Sequence, residues 1–297
     1  MDRFSLIGAG ALGSHIAQAL VAQGWELDAV LSASMRSART LCAGLSMGVP
    51  LDSMDVRLCV SELLILCVPD RAIAGVVASL SDLGGNWAGT TVIHTAGVLG
   101  SDVLRPLAGQ GAQTGSFHPM QTFPATATPQ RNEDLFRGIT IGIEGTPAAR
   151  ACMTRLSTTL AAEPLEISLE HKALYHAAAA MASNFSTALL HTAQSVWDEA
   201  VDGRVPFARA VAPLVMQSVS NALRDGPEQA LTGPFARGDT ETIALHIDAL
   251  RSSLPDLIPV YAALAVEAVH TARAGGHLTG ERAVVLLDQI HSALHAS

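Results

Sequence analysis

Apolar and polar positions divide the chain into two halves with different patterns. In the first half, short apolar runs predict buried strands, which lie at residues 4–7, 26–31, 63–68, 90–94, 139–143 and 165–167, with a further short strand before Gly115. Between these runs, apolar residues recur every three or four positions, as at Ile16 and Leu20 or Ile73 and Val77, and predict helices. This alternation is typical of an α/β fold with a doubly wound, mostly parallel sheet.

The second half has no strand signals after about Ser168. Residues 169 to about 201 show one long helical pattern, and further helical patterns cover about 206–223, 240–250, 255–274 and 280–294. We therefore predict two domains, an α/β domain at residues 1–168 and an all-α domain at residues 169–297.

Composition narrows the class of protein. Charged residues make up 15% of the chain, hydrophobic residues 49%, and the formal net charge is -9, which argues against nucleic acid and for a small-molecule partner. The cysteines have neither zinc-site nor disulfide spacing, which indicates a reducing compartment. Since the chain enters a strand directly and no apolar run approaches the ~20 residues of a membrane span, we expect a cytoplasmic protein without a membrane partner.

A glycine-rich turn joins the first strand to the first helix. Gly8, Gly10 and Gly13 have G-x-G-x-x-G spacing and enclose Ala11 and Leu12. In such a turn, the first glycine permits the bend, the second lets the backbone approach a pyrophosphate, and the third lets the helix lie close to the strand. The turn predicts a dinucleotide site in a Rossmann-type domain, and the alternative is a plain structural turn.

The end of the second strand indicates which dinucleotide is bound. NAD sites usually place Asp or Glu there to hold the ribose 2′-hydroxyl, whereas this chain has Ser32 and Ser34, with Arg36 and Arg39 following. Without a carboxylate to repel a 2′-phosphate, NADP(H) is favoured over NAD(H). The alternative is that Ser34 caps a helix and the arginines are ordinary surface residues.

Polar and small residues also follow the later strands, at the sheet edge where open α/β sheets bind ligands. We expect cofactor contacts from two turns, which contain Cys67, Val68, Pro69, Asp70, His94, Thr95, Ala96 and Gly97. Asp70 is also a candidate helix cap. His118 and Gln121 are candidate substrate-binding residues, although an isolated histidine more commonly has a structural role.

The long helical pattern carries polar residues on one face. Four of them, Lys172, His176, Ser183 and Thr187, fall within a narrow arc, and Asn184 borders it, with alanines between them. This arrangement predicts a substrate-facing stripe, in which Lys172 and His176 are the candidate catalytic residues. The alternative is an alanine-rich helix contact.

A second candidate segment in the helical half is a polar turn before a helix. It contains Thr232, Arg237 and Asp239, in which Arg237 is suited to bind a substrate carboxylate. Alternatively, Asp239 or Thr240 only caps the helix that follows.

Six stretches together resemble the superfamily of ketopantoate reductase, 3-hydroxyacid dehydrogenase and pyrroline-5-carboxylate reductase. They lie at residues 8–13, 67–70, 94–97, 116–123, 172–184 and 231–239. Within it, the chain is most similar to a subgroup described only as Rossmann-like with a helical C-terminal domain of unknown function. The resemblance implies that Lys172 acts at the substrate oxygen. Related sequences often have asparagine four positions later, where this chain has His176, and arginine where this chain has Ala33, so that Arg36 would replace it.

The resemblance and the residues together predict an NADPH-dependent reductase of a small 2-oxo acid, similar to ketopantoate, with hydride transfer at a cleft between the domains. Lys172 or His176 would donate the proton, and the nicotinamide would lie near residues 94–97 and 116–118. The alternatives are an imine reductase of the pyrroline-5-carboxylate reductase type and a non-catalytic NADP-binding sensor. Because a small domain cannot cover all of its alanine-rich helix faces, we also expect a homodimer through the helical half.

Overall fold

A computed structural model of the protein describes residues 2–123 and 135–295. The strands of its sheet, numbered in chain order, are β1 (Arg3–Ile7), β2 (Glu26–Leu31), β3 (Val49–Leu51), β4 (Leu63–Leu66), β5 (Thr91–His94), β6 (Gln113–Pro119), β7 (Thr140–Gly145) and β8 (Glu163–Glu166). Their order in space is β3-β2-β1-β4-β5-β6-β7-β8. Neighbouring strands are parallel, except that β6 and β7 are antiparallel. The predicted doubly wound, mostly parallel sheet is confirmed.

Strand β4, in the middle of the sheet, is apolar at every position and is buried on both faces. Along β4, Leu63 and Ile65 enter the hydrophobic core on one face, and Leu64 and Leu66 enter the core on the other. All four side chains are at most 1% exposed. At about 1.5–3 kcal/mol for each fully buried aliphatic side chain, β4 alone contributes several kcal/mol to folding. Leu66, the last residue of β4, pairs with Ile7 of β1 and with His94 of β5, so the carboxyl ends of these three strands lie side by side.

Two features of the sheet differ from the sequence prediction. Strand β3 was not predicted, because it has only three residues and contains Pro50, which an edge strand tolerates. Strand β6 includes the residues from Gly115 to Pro119, which the apolar pattern placed after a strand. As a result, His118 lies in β6 itself, opposite Gly142 of β7.

The chain divides into two compact units, Met1–Ser183 and Asn184–Ser297. Helices of the first unit are α1 (Ala11–Ala22), α2 (Met35–Leu45), α3 (Asp70–Asp82), α4 (Arg105–Ala108), α5 (Pro147–Thr159) and α6 (Lys172–Ala180). Helices of the second unit are α7 (Ser186–Val201), α8 (Phe207–Asp225), α9 (Pro227–Ala230), α10 (Gly233–Arg237), α11 (Thr240–Ser253), α12 (Ile258–Ala274) and α13 (Gly280–His295).

The division lies later in the chain than the predicted boundary at residue 168. The reason is that α6 packs on the sheet of the first unit. Lys172 at its start is 1% exposed, and Tyr175 lies against Gly142 of β7. The end of the strand signals therefore does not coincide with the end of the first packed unit.

The predicted continuous helix from residue 169 to 201 is interrupted. A 3₁₀ turn at Leu169–His171 precedes α6, and a π-helical turn at Met181–Phe185 separates α6 from α7. A π turn inserts an extra residue, so the residues that follow are rotated relative to a 3.6-residue repeat. The predicted stripe is therefore wrong as a single arc, since Ser183 and Asn184 lie within the π turn.

The second unit has a core of its own, which α11, α12 and α13 form with residues such as Ile243, Val269, Leu286 and Ile290. In contrast, no residue of α7 or α8 is buried. Among the described residues, no helix is long and apolar enough to span a membrane.

Candidate active site

The glycine turn between β1 and α1 is shaped by what surrounds each glycine. A Cβ atom at Gly8, whose φ is 107°, would overlap the carbonyl group of Cys67, and one at Gly13 would overlap the carbonyl oxygen of Gly8. At Gly10, a Cβ atom would meet no atom of the described residues within 4 Å. Gly8 and Gly13 thus close the turn against β4 and α1, while Gly10 leaves its outer surface open.

This open surface fits a dinucleotide pyrophosphate. Gly10 is the N-cap of α1 and supplies no side-chain cap to the helix. The first-turn N–H groups of the helix, which begin at Ala11 and Leu12, are therefore available to an anion, and the helix dipole favours negative charge there.

Beyond β2, the structure gives the two predicted serines local roles. Ser32 Oγ accepts a hydrogen bond from the N–H of Ala9 at 3.4 Å, and Ser34 Oγ accepts one from the N–H of Ser37 at 3.4 Å as the cap of α2. The capping alternative for Ser34 is therefore realised. Arg36 is exposed, and no hydrogen bond or ion pair of its side chain occurs within residues 2–123 and 135–295.

The carboxyl edge also contains an acidic residue that the sequence analysis did not consider. Leu31, the last residue of β2, pairs with Leu51 of β3, and Asp52 follows directly. Because β3 was not predicted, the pattern gave no signal that a carboxylate comes near the end of β2.

The turn after β4 lies beside the glycines. Loss of hydration raises the pKa of the Cys67 thiol to about 12, which makes it an inert neutral group at this point. Pro69 is the N-cap residue of α3, and Asp70 is its first residue. The predicted capping role of Asp70 is therefore wrong, and its carboxylate instead stands in the first turn of α3, where the helix dipole favours it.

His94, at the end of β5, is fully buried and has a structural arrangement. Its Nδ1 accepts a hydrogen bond from the N–H of Ala96 at 3.2 Å, and its Nε2 donates to the carbonyl oxygen of Gly100 at 3.0 Å. Burial lowers the pKa of His94, so the ring is neutral. Its two bonds shape the loop that contains Thr95, Ala96 and Gly97, and direct ring contact with a cofactor stays a prediction.

Lys172 is buried and is bonded to the strand beside that loop. Its Nζ donates a hydrogen bond to Ser116 Oγ at 2.7 Å, and Ser116 Oγ donates in turn to the carbonyl oxygen of Ala96 at 3.3 Å. Burial lowers the pKa of Lys172, while the negative charges of Glu144 and Asp70 oppose that shift. The chain thus places a cation with a weakened hold on its proton beneath the loop at residues 95–97.

His118 belongs to β6 and lies near Lys172 of α6. Its Nδ1 is 3.1 Å from the hydroxyl group of Tyr175, a residue that the sequence analysis missed because nothing in the local pattern marks it. Burial, followed by the charges of His176 and Lys172, lowers the pKa of His118 to about 4. At neutral pH, His118 is therefore an uncharged ring.

Gly97 is the point at which two imidazole rings meet. A Cβ atom there would overlap Nδ1 of His176 and would lie 2.9 Å from Nε2 of His118. The two rings pack edge to face, with centroids 5.5 Å apart. Nδ1 of His176 is buried without a hydrogen-bond partner among the described residues. His118 and His176 thus direct ring nitrogens at the backbone of Gly97, and this close approach is possible because residue 97 has no side chain.

The other predicted substrate residues are placed differently. Gln121 is exposed, and its Oε1 accepts a hydrogen bond from the N–H of Thr122 at 2.8 Å. In the second unit, Asp239 caps α11 by accepting from the N–H of Thr242 at 3.0 Å, as its structural alternative stated, and lies 3.8 Å from Arg237. Thr232 and Asn184 are exposed. Binding of substrate by these residues stays a prediction.

Among the described residues, no group of histidine, cysteine and carboxylate side chains has the arrangement of a metal site. Lys172, Ser116, His118 and His176 have side chains suited to ligand binding and proton transfer, and they lie at the same sheet edge as a surface that fits a dinucleotide.

The low pKa of His118 predicts a pH-dependent stability. An unfolded histidine has a pKa near 6.5, so between pH 6.5 and 4 the unfolded chain binds a proton that the folded chain does not, and stability is lost as the pH falls. The wild type should therefore lose more stability on acidification than His118→Gln does. The difference between their free energies of unfolding should shrink by about 2–3 kcal/mol from pH 7 to pH 4. Urea unfolding at both pH values measures it, and a constant difference would contradict the assignment.

Comparison with protein-family models gives two matches. Residues 2–119 match the Rossmann-like domain, and residues 139–268 match DUF2520, a domain of unknown function. No curated protein matches the chain.

Solved structures share the fold over most of the chain. BF3122 from Bacteroides fragilis, whose name proposes an NADP oxidoreductase, is 24% identical with a TM-score of 0.72, and the match covers 91% of this chain and 98% of that one. A reductive aminase from Aspergillus terreus is 16% identical with a TM-score of 0.60, covering 99% and 94%. An imine reductase from Pseudomonas sp. is 18% identical with a TM-score of 0.58, also covering 99% and 94%.

At these identities, the solved structures establish a common fold, and the two family matches identify its parts. The two matches confirm the resemblance found in the sequence, to proteins that join a Rossmann-like domain to a helical domain of unknown function.

Proposed function

We propose that this protein is an NADPH-dependent oxidoreductase that reduces a small 2-oxo acid of the ketopantoate type. The observation that carries the proposal is the position of two features at one edge of one sheet. The open glycine turn follows β1, and the cluster of Lys172, His118 and His176 surrounds the ends of β5 and β6. Ligands of open α/β sheets bind along this carboxyl edge.

The bound dinucleotide would supply the hydride, and the residues of this chain would hold the substrate and supply the proton. A carbonyl carbon that accepts a hydride leaves negative charge on its oxygen, and a cation or proton donor beside that oxygen stabilises it. Lys172 uses one of its three N–H donors on Ser116, so the ammonium group has further donors for a ligand.

The alternative proton donor is His176, whose Nδ1 lies toward Gly97 and has no hydrogen-bond partner in the described part of the chain. The carboxylate of a 2-oxo acid would bind beside these residues, where Lys172 and the imidazole rings can present positive charge or N–H donors to it.

A second candidate function is the reduction of an imine. The fold shared with an imine reductase and with a reductive aminase favours it. The same proton donors would serve an amine nitrogen in place of an alkoxide oxygen, so that a screen must contain both 2-oxo acids and cyclic imines.

Cofactor preference tests the role of Arg36. Loss of one charge-assisted contact to a 2′-phosphate costs about 1.5–3 kcal/mol, so Arg36→Ala should weaken NADPH binding roughly ten- to a hundredfold and leave NADH binding nearly unchanged. Arg155→Ala, which removes a surface arginine paired with Asp2, is the matched control and should bind both as the wild type does. Equal affinity of the wild type for NADH and NADPH would refute the preference.

Turnover tests the proton donor. If Lys172 supplies the proton or stabilises the oxyanion, Lys172→Ala should lower kcat by ~10² to 10⁴ and leave NADPH affinity within a few-fold, because the glycine turn holds the dinucleotide. If His176 is the acid, His176→Asn should give the large loss. The assay starts from a screen of 2-oxo acids and cyclic imines with NADPH.

Each outcome of that assay assigns a role. A large loss in only one variant identifies the donor, and a large loss in both indicates that the two groups act as a unit. Native turnover in both variants would show that neither residue is catalytic.

We also propose that the protein is a homodimer through its helical half. On α8, Met216, Val219 and Leu223 repeat at helical spacing and are 71%, 52% and 84% exposed. Large apolar side chains at this exposure are typical of a surface that another chain covers. A second copy of this chain can supply the same stripe, as a two-fold interface requires.

Sedimentation at micromolar concentration tests the dimer. The wild type should sediment as a dimer, and Val219→Glu should sediment as a monomer because it places a charge in the apolar stripe. Leu245→Glu changes another exposed leucine, on α11, and should remain dimeric. A monomeric wild type would contradict the proposal.

A further inference from the structure

Tyr175 joins α6 to the antiparallel pair β6 and β7. Its hydroxyl group lies 3.1 Å from His118 Nδ1, and its ring packs edge to face on the His118 ring, with centroids 5.6 Å apart. The phenol can come this close because residue 142, opposite His118, is glycine, and a Cβ atom there would lie 2.6 Å from the hydroxyl oxygen. The sheet register therefore creates the place for this hydroxyl group.

The direction of the tyrosine proton decides which nitrogen of His118 carries hydrogen. Two acceptors lie near the hydroxyl group, namely Nδ1 of His118 at 3.1 Å and the carbonyl oxygen of His118 at 3.5 Å. The shorter distance is within normal hydrogen-bond range, and the longer one is at its limit. Donation to Nδ1 makes that nitrogen an acceptor, so a neutral ring must carry its hydrogen on Nε2.

Nε2 is the nitrogen of His118 that faces Gly97, and it lies 2.9 Å from the position that a Cβ atom would take there. Burial lowers the pKa of the His118 ring, and electrostatic interaction with His176 and Lys172 of α6 lowers it further. The ring thus presents one N–H donor without a net charge. Such a donor can polarise a carbonyl or imine group without having to release a proton.

We propose that Tyr175 is a positioning residue that holds His118 as a neutral Nε2–H donor, directed at a lone pair of a ligand oxygen or nitrogen beside Gly97. The inference rests on the proposed function for the identity of the ligand, since the substrate carbonyl or imine is the group with that lone pair. The tautomer itself is a property of the protein alone and can be measured without a substrate.

Nitrogen-15 NMR of the imidazole rings in the full chain tests the tautomer at neutral pH. His118 should show the Nε2–H form in the wild type, and Tyr175→Phe should lose this preference because Nδ1 no longer has a donor. His94 is an internal standard, since the N–H of Ala96 and the carbonyl oxygen of Gly100 fix it as Nε2–H in every variant.

A second tyrosine–histidine pair supplies the matched control. The Tyr261 hydroxyl group lies 3.0 Å from His246 Nδ1 in the second unit. Tyr261→Phe should leave the His118 signals unchanged. Gly142→Ala, whose Cβ atom would displace the Tyr175 hydroxyl group, should reproduce the effect of Tyr175→Phe. A wild-type His118 in the Nδ1–H form, or an unchanged tautomer in Tyr175→Phe, would overturn the proposal.

Turnover separates this inference from the proposed function. Loss of one orienting hydrogen bond should lower kcat/KM of Tyr175→Phe about three- to tenfold, with NADPH affinity unchanged. If the wild type reduces neither 2-oxo acids nor imines, the proposed function fails while the NMR result still decides the role of Tyr175. Full kcat/KM in an active Tyr175→Phe variant would overturn the directed role of His118.

Discussion

The buried ammonium group of Lys172 is the constraint on which the arrangement of the site depends. A lysine that is 1% exposed loses its hydration, and isolated burial of such a charge costs several kcal/mol unless other groups replace the water. Ser116 accepts its hydrogen bond, and the charges of Glu144 and Asp70 favour its protonated form. These groups belong to β6, β7 and α3, so Lys172 is satisfied only when α6 lies on the sheet.

This constraint explains why the first compact unit extends to Ser183. It also brings Tyr175 and His176, which follow Lys172 by about one turn, to the end of β6. Glycine is equally necessary at positions 97 and 142. An imidazole ring takes the place of a side chain at Gly97, and a phenol takes it at Gly142. The site is thus built from one buried charge and from two places where the backbone carries no side chain.

Much of the fold could be predicted from the sequence because its strongest signals are local. The strand, glycine turn and helix at residues 4–22 are contiguous, and burial of β4 on both faces gives an unbroken apolar run. In contrast, β3 is too short to show a pattern, and the π turn at Met181–Phe185 has no glycine or proline to mark it. Lys172 and His176 were found because they share a helix face within one turn.

The role of Tyr175 could not be predicted because it depends on a pairing distant in sequence. Gly142 stands opposite His118 only through the antiparallel register of β6 and β7, and neither residue marks the other locally. The cap formed by Asp239 is the opposite case, because its hydrogen-bond partner is close in sequence. The carboxylate of this polar-turn residue caps the helix that follows directly.

The central claim is that the turn at Gly8–Gly13 holds the cofactor beside the Lys172 cluster, and calorimetric titration of the full chain with NADPH tests it most directly. We expect one NADPH to bind per chain. Gly10→Ala should weaken that affinity at least about tenfold, because its methyl group would enter the open surface where the pyrophosphate approaches. Gly75→Ala in α3, where a Cβ atom also meets nothing within 4 Å, should bind as the wild type does. Absence of binding, or unchanged affinity in Gly10→Ala, would contradict the account.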